Sequence, residues 1–327
     1  MATNSSGMTR VGIAGGAGYT GGELLRLLVW HPGVEIVFVH SKSQAGRPVA
    51  AVHQDLFGDC TLEFTDTLSA QIDVLFLCLG HGDSKDFLEQ HPQPDQVKII
   101  DLSQDFRLER DTHSFVYGLP ELNLTALREA QKIANPGCFA TAIQLALLPL
   151  AQAQRLEGDI HIQATTGSTG AGQSPSPTTH FSWRSNNLSV YKAFTHQHLH
   201  EIEESLGGLQ AELPPLHFIP QRGNFSRGIL ATVSLRSTHS LSQNQQLYRD
   251  YYAEHPFTWL VPHELALKQV VNTNKCFIQL IQSGEQLLIV SALDNLIKGA
   301  SGQAVQNMNL ACGYDQTLGL HLKPIGL

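Results

Sequence analysis

Residues 9–28 read TRVGIAGGAGYTGGELLRLL, and this stretch decides the fold. An apolar strand pattern comes first, and a turn with Gly15, Gly18 and Gly21 spaced three residues apart follows it. The next residues carry the apolar body of a helix, and a second apolar strand pattern occupies residues 34–40. Strand, glycine turn, helix and strand make a βαβ unit.

The same alternation continues along the first part of the chain. Short apolar segments at 74–79, 97–102 and 132–134 predict further parallel strands, covered by helices on both faces. The sequence therefore predicts an α/β protein with a Rossmann-type, doubly wound parallel sheet.

The alternation of strand and helix patterns ends after a long apolar helix pattern at 140–153. A second α+β domain with a largely antiparallel sheet is predicted by the strand patterns at 160–166, 216–219, 228–235, 276–281 and 286–293. Residues 295–310 predict a last helix. For 327 residues we expect two domains, with residues 1–137 binding the cofactor and 138–297 carrying catalysis and oligomerisation, and with 298–327 returning to the first domain.

The composition excludes several classes of partner. With 21 Lys and Arg against 29 Asp and Glu, the formal charge is −8, which argues against a nucleic-acid partner. No apolar run has the length of a membrane-spanning helix, and the first residues do not resemble a signal peptide. The five cysteines are scattered and suit a reducing compartment. We expect a cytoplasmic protein that acts on a small molecule and binds no membrane.

The glycine turn predicts a dinucleotide site. Backbone N–H groups at a strand-to-helix turn can face a pyrophosphate when glycines let it approach. The residues concerned are Gly15, Gly18, Tyr19, Thr20 and Gly21. An ordinary tight turn is the alternative, and the βαβ setting favours the nucleotide.

The end of the second strand predicts which dinucleotide binds. An acidic residue there would bind the ribose of NAD, but Glu35 lies at the beginning of that strand. The cofactor-facing end instead carries Ser41, Lys42 and Ser43, whose hydroxyls and cation suit a 2′-phosphate. NADP is therefore favoured over NAD, unless this segment is only a solvated loop.

One cysteine differs from the other four. Cys138 follows Asn135-Pro136-Gly137 and opens a helix, where amide dipoles lower the pKa of a thiol. On a nucleotide-binding protein, such a thiolate indicates covalent chemistry on an aldehyde or acyl phosphate. The other cysteines are interpreted as buried or loop residues.

Covalent chemistry also needs an acid/base and cations. Residues 196–200 place His196, His198 and His200 in alternation. We expect one of these histidines to be the acid/base; zinc binding or a solvated helix end are the alternatives. An anionic substrate needs cations, and Arg107, Arg222 and Arg227 are the candidates, although each could equally form a surface ion pair.

Several segments together resemble one family, the N-acetyl-gamma-glutamyl-phosphate reductases of arginine biosynthesis, which are related to semialdehyde dehydrogenases. The resemblance covers nearly the whole chain. The segments that carry it are GGAGYTGGELLRLL at 15–28, DLSQDFRL at 101–108, YGLPEL at 117–122, NPGCFATA at 135–142, HQHLHEI at 196–202, NFSRGIL at 224–230 and DNLIKGASGQAVQNMN at 294–309.

The resemblance implies a reaction and roles for single residues. It implies that NADPH reduces N-acetyl-5-glutamyl phosphate to N-acetylglutamate 5-semialdehyde through a thioester on Cys138. The family's HRHxxEI motif falls on residues 196–202, with Gln197 in place of the usual Arg. On this match we expect His196 to be the acid/base and His198 to be its rival. The resemblance implies that Arg107 and Arg227 contact the phosphate or the substrate. It also implies that the residues near the nicotinamide are Gly167, Ser168, Asn295, Lys298 and Gly299.

Other functions remain open at this point. Aspartate-semialdehyde dehydrogenase and an acyl-phosphate reductase of lysine biosynthesis share the fold and the thioester chemistry. An NADP-binding sensor or scaffold would not need Cys138, and a thiol hydrolase using Cys138 and His196 would not need a nicotinamide. A homodimer or homotetramer is expected, since the second domain carries an antiparallel sheet.

Overall fold

The structure is a computed structural model, and it describes residues 7–108 and 113–326. The described residues form two compact units, one of residues within 7–136 and 300–321 and the other of residues 137–299 and 322–326. Within these described ranges, no helix is long and apolar enough to cross a membrane.

The first unit is built on a seven-stranded sheet whose pairings are all parallel, in the order β3-β2-β1-β4-β5-β7-β6. Its strands are β1 (Thr9–Ala14), β2 (Val34–His40), β3 (Phe64–Thr65), β4 (Val74–Leu77), β5 (Lys98–Asp101), β6 (Val116–Tyr117) and β7 (Lys132–Ala134). Its helices are α1 (Tyr19–Leu28), α2 (Val49–Val52), α3 (Asp83–Gln90), α4 (Pro120–Glu129) and α9 (Gly302–Ala311), with a 3-10 turn at Gln54–Leu56. The prediction of a doubly wound parallel sheet is confirmed.

The order of this sheet reverses at β1, which lies between β2 and β4. In open parallel sheets, ligands bind beyond the carboxyl ends of the strands at such a reversal. The last four residues of β1 are buried, so the strand is held rigidly on both faces. The glycine turn that follows β1 is therefore at the position where a dinucleotide is expected.

The second unit contains a mixed seven-stranded sheet in the order β12-β13-β14-β11-β8-β10-β9. Its strands are β8 (Glu157–Thr166), β9 (Ser189–Val190), β10 (Leu216–Arg222), β11 (Ile229–Arg236), β12 (Thr258–Leu260), β13 (Cys276–Ser283) and β14 (Gln286–Leu293). Its helices are α5 (Cys138–Gln152), α6 (Phe181–Arg184), α7 (His198–Leu209) and α8 (Leu241–Tyr251), with 3-10 turns at Ser168–Ala171 and Leu267–Gln269. Four of the six pairings are antiparallel, which confirms the predicted sheet type.

Helix α5 forms the core of the second unit. Its residues from Phe139 to Ala151 are all buried, and it packs against β11, β14 and the helices α7 and α8. The sequence predicts this helix over 140–153, but it begins two residues earlier, because Gly137 is extended and serves as the N-cap. Cys138 is therefore the first helical residue.

The predicted C-terminal helix over 295–310 differs in its first turn. Ile297–Ser301 is π-helical, and regular α-helix begins only at Gly302. Turns of π-helix are rare and often accompany functional sites. The hydrophobic period of the sequence cannot show this local change in the hydrogen-bond pattern.

Candidate active site

The glycine turn after β1 is fixed by backbone contacts. Gly15 has a φ of 78°, and a Cβ there would lie 2.5 Å from the carbonyl oxygen of Cys78. The N–H groups of Gly15 and Gly16 both donate to the carbonyl of His40, at 3.1 Å. A Cβ on Gly21 would lie 2.6 Å from Cα of Gly16. Glycine is thus needed at 15 and 21 for the turn itself.

Gly18 differs because its surroundings are open. An added Cβ would meet nothing closer than the Gly15 carbonyl oxygen, at 3.9 Å. Gly18 is the N-cap of α1 and offers no side-chain cap, so the first N–H groups of the helix, at Tyr19 and Thr20, need an outside acceptor. These N–H groups at the start of α1, beside the open space at Gly18, fit the pyrophosphate of a dinucleotide.

The predicted 2′-phosphate residues lie just after β2. Ser41 is buried, Lys42 and Ser43 are exposed, and the two serine hydroxyls are 3.4 Å apart. Two hydroxyls beside an exposed ammonium group fit a phosphate better than they fit a ribose diol, whose usual partner is a carboxylate.

Arg107 is buried within the first unit. Its Nε donates to the carbonyl of Asn135 at 2.9 Å, and its Nη2 donates to the carbonyl of Leu102 at 3.0 Å. These bonds tie the segment after β5 to the residues that precede Cys138 in the chain. They orient the guanidinium, and its predicted phosphate contact stays a prediction.

Cys138 differs from the other thiols in combining partial exposure with a position at a helix N-terminus. It is partly exposed and is the first residue of the 15-residue helix α5. Burial raises the pKa of the Cys78 thiol to about 12 and that of Cys312 to about 11, and Cys276 is fully buried. Cys60 is partly exposed, but it lies outside regular structure. The helix terminus therefore favours Cys138 as the reactive thiol.

His196 is buried among aromatic rings beside this helix. Its ring lies edge-on to Phe139 at 5.5 Å and to Tyr191 at 5.8 Å between centroids. Burial, with added repulsion from Lys192 and Arg222, lowers the pKa of His196 to about 4. Its Nδ1 accepts the backbone N–H of His198 at 3.2 Å. Neutral His196 therefore carries its proton on Nε2 and is a hydrogen-bond donor there.

The turn that places His196 is strained. Lys192 and Phe194 have φ values of 45° and 60°, a left-handed conformation that side chains other than glycine rarely adopt. The Lys192 ammonium donates to the side chain of Gln197 at 3.2 Å. Strain of this kind often accompanies functional sites, because the surrounding packing must hold it.

His198 and Glu201 connect α7 to the residue before Cys138. A carboxylate oxygen of Glu201 accepts the N–H of Gly137 at 2.9 Å, and the other lies 3.9 Å from Nε2 of His198. Both side chains are buried. A Cβ at position 137 would collide with the His198 ring, so only glycine fits there.

The predicted loop residues of the second unit form one hydrogen-bonded cluster. Ser168 donates its N–H to the carbonyl of Phe225 at 2.8 Å, and Gly167 is packed against the carbonyl of Ser226. The Asn295 amide oxygen accepts from Gly228 at 2.6 Å, and its nitrogen donates to the Thr169 hydroxyl at 3.1 Å. Asn295 thus holds two loops together.

Arg227 and Lys298 have different surroundings. Arg227 donates from Nε and Nη2 to the two oxygens of buried Asp294, at 3.1 and 3.2 Å, so its charge is already compensated. Lys298 is fully buried in the π-helical turn, and the following Gly299 packs on Cys138, where an added Cβ would lie 2.8 Å from that of the cysteine. Within the ranges described above, no three His, Cys, Asp or Glu side chains could together hold a metal ion.

Comparisons with known proteins agree with this geometry. Residues 10–130 match the family model "Semialdehyde dehydrogenase, NAD binding domain", and residues 138–295 match "Semialdehyde dehydrogenase, dimerisation domain". The chain is 54% identical over 319 residues to N-acetyl-gamma-glutamyl-phosphate reductase of Bacteroides thetaiotaomicron, covering 97% of this chain and 99% of the relative. The chain belongs to the N-acetyl-gamma-glutamyl-phosphate reductase family. Its Flavobacterium johnsoniae member is also 54% identical, over 324 residues, with 98% and 100% covered.

Solved structures confirm the fold of this family member. Aspartate semialdehyde dehydrogenase II from Vibrio cholerae superposes with a TM-score of 0.74 at 17% identity, covering 94% of this chain and 98% of the other. The Candida albicans aspartate semialdehyde dehydrogenase with NADP gives 0.71 at 15% identity, with 93% and 98% covered. The first unit is therefore a nicotinamide-dinucleotide-binding domain of the semialdehyde dehydrogenase type.

Sequence reasoning missed three contributors to the site. Glu201 is part of the quoted motif, but its bond to Gly137 depends on how α7 packs on α5. His53 supports the glycine turn through a 2.8 Å bond between its Nε2 and the Gly16 carbonyl. Tyr191 lies just after β9 and stacks on Arg222, a cation that the sequence did predict, at the end of β10. No spacing in the chain signals these contacts.

Proposed function

We propose that the protein catalyses the NADPH-dependent reduction of N-acetyl-5-glutamyl phosphate to N-acetylglutamate 5-semialdehyde and phosphate, a step of arginine biosynthesis. The observation that carries this proposal is Cys138 at the start of α5, flanked by His196, His198 and Glu201. The near-complete match to relatives that bear this enzyme's name supports the choice of substrate.

Cys138 supplies the covalent step. Its thiolate attacks the acyl carbon, a carbon–sulfur bond forms, and the bond to the phosphate oxygen breaks, which releases phosphate and leaves a thioester. Reduction then gives a thiohemiacetal, whose carbon–sulfur bond breaks to release the aldehyde and restore the thiolate.

None of the five cysteines, all in the described part of the chain, forms a disulfide, which supports the predicted cytoplasmic location.

The two histidines have different proposed roles. His196 remains a candidate acid/base, but its proton on Nε2 and its low pKa suit it to stabilising the oxyanion by a hydrogen bond. His198 Nε2 lies 3.9 Å from the Glu201 carboxylate, which can orient the ring, so we propose that His198 moves the proton.

The first unit would hold the cofactor. Gly15, Gly18, Tyr19, Thr20 and Gly21 would receive the pyrophosphate. Ser41, Lys42 and Ser43 would receive the 2′-phosphate, which favours NADP. Gly167, Ser168, Asn295 and Lys298 are proposed for the nicotinamide side, although Asn295 also has a structural role. When bound, NADPH supplies the hydride that reduces the acyl carbon.

Assay of the reverse reaction tests the substrate and the cofactor together. With phosphate present, we expect N-acetylglutamate 5-semialdehyde to be oxidised with a much higher kcat/KM than aspartate 4-semialdehyde, and NADP to be preferred over NAD. Initial rates from nicotinamide absorbance at 340 nm, a general property of the reduced ring, give both ratios. Preference for the aspartate compound would contradict the assignment, and turnover of substrate without nicotinamide would indicate a hydrolase.

We also propose that the protein forms a homodimer or homotetramer through the second unit. Helix α5 covers one face of its sheet, while the opposite face presents half-buried or exposed apolar side chains, including Trp259, Phe277, Ile281 and Leu230. An apolar sheet face of this size is normally covered by a partner. Sedimentation should give the mass of two or four chains, and a single-chain mass at micromolar concentration would contradict the proposal.

A further inference from the structure

Arg222 lies at the end of β10 with its charge uncompensated. Its guanidinium stacks over the Tyr191 ring, 4.5 Å from the ring centre. Its Nε is buried without a hydrogen-bond partner, and within residues 7–108 and 113–326 no carboxylate pairs with it. A buried N–H without an acceptor is costly, which indicates that an acceptor arrives with a ligand.

A second guanidinium stands beside the first. Arg184 is buried, and its donors go to neutral oxygens only: the carbonyls of Thr178 and Arg222 and the Ser189 hydroxyl. The charge of Arg222 contributes, after burial, to lowering the pKa of Arg184. Two neighbouring cations that lack a carboxylate partner in the described chain make a strongly positive site in a protein of charge −8.

This positive site is linked to the start of α5 by three aromatic rings. Arg222 contacts Tyr191, Tyr191 contacts His196, and His196 contacts Phe139, the residue after Cys138. Tyr191 also interacts electrostatically with the Cys138 thiol, so Arg222 lies near that thiol. Arg222 is therefore positioned to bind a group of the substrate other than the carbon that Cys138 attacks.

We propose that Arg222, held by Tyr191 and Arg184, binds the α-carboxylate of the substrate and so determines specificity for an N-acetylated amino acid over a simple aldehyde. The inference rests on the proposed function. In that substrate, the carboxylate is the anion remote from the reacting carbon, whereas the phosphate is attached to it. The planar fork of a guanidinium matches a carboxylate.

The test compares two aldehydes that differ only in the carboxylate. N-acetylglutamate 5-semialdehyde and 4-acetamidobutanal are oxidised with NADP and phosphate by the wild type, Arg222→Gln and Arg222→Lys. We expect Arg222→Gln to lower kcat/KM for the first aldehyde by about 10- to 100-fold, the usual cost of a charge-assisted hydrogen bond, and to leave the second nearly unchanged. Arg222→Lys should lie between wild type and Arg222→Gln.

The controls separate folding from recognition. Arg236→Gln removes an exposed arginine that pairs with Glu285 on the same sheet, and both rates should remain at wild-type values. NADPH binding by each variant checks that it is folded. Equal losses for both aldehydes, no loss for either, or a raised KM for phosphate with both would each overturn the proposal. If the wild type itself does not oxidise the acetylglutamate aldehyde, the proposed function fails instead.

Discussion

Cys138→Ser is expected to lower kcat/KM for N-acetylglutamate 5-semialdehyde by at least about 10³-fold, because a serine hydroxyl is far less ionised than a thiol at a helix N-terminus and cannot form the thioester. The affinity for NADPH should not change, since the glycine turn and the segment after β2 are untouched. Steady-state rates and a fluorescence titration of NADPH measure the two effects separately.

A second cysteine provides the matched control. Cys60 is also partly exposed, but it is not in a helix, so Cys60→Ser should keep wild-type rates. Alkylation by iodoacetamide, located by peptide mass, should modify Cys138 faster than Cys60. Wild-type turnover in Cys138→Ser would exclude the covalent mechanism, and faster labelling of Cys60 would contradict the assignment of Cys138 as the activated thiol.

Substitutions at the two histidines should have large but different effects. His198→Asn is expected to lower kcat by about 10²- to 10⁴-fold, the usual contribution of a general acid/base, and to remove one limb of the pH–rate profile. His196→Ala should lower kcat by about 10²- to 10³-fold, while His196→Asn, whose amide can still donate, should recover part of that loss.

The pH dependence distinguishes the two roles. With a pKa of about 4, His196 is neutral throughout the range from pH 6 to 8, so its ionisation should not affect the rate there. If His196→Asn and His196→Ala lose activity equally and change the pH profile, while His198→Asn does little, His196 is the proton carrier as the sequence alone suggested.

Local sequence patterns predicted most of the fold. The limits of β1, β2 and β7 follow the sequence interpretation residue by residue, because each is a short apolar run between turn residues. The short strands β3, β6, β9 and β12 are not predicted by the sequence, because a pairing of two or three residues is set mainly by the neighbouring strand. The π-helical turn Ile297–Ser301 was also missed, because backbone hydrogen bonding and not the apolar period distinguishes it.

The parts of the candidate site that are formed by neighbouring residues in the chain could be predicted from the sequence. Cys138 at a helix start and the glycine turn are local features, and their roles could be proposed from neighbours in the chain. The choice between Arg222 and Arg227 could not be made from the sequence, because the two lie close together in the chain and have the same side chain. Only the structure shows that Arg227 is neutralised by Asp294, whereas Arg222 stacks on Tyr191 without a carboxylate.

The sequence by itself determined the βαβ start, the parallel sheet, the candidate nucleophile and the family, because these depend on residue type and short-range spacing. The tertiary structure decided the tautomer of His196, the link from Glu201 to Gly137, and which arginine keeps an unsatisfied charge. Those properties depend on burial and on the folded geometry around each group, and the link from Glu201 to Gly137 joins residues 64 positions apart in the chain. These surroundings set the pKa of a histidine and the energetic cost of a buried charge. The spacing of residues along the sequence does not show them.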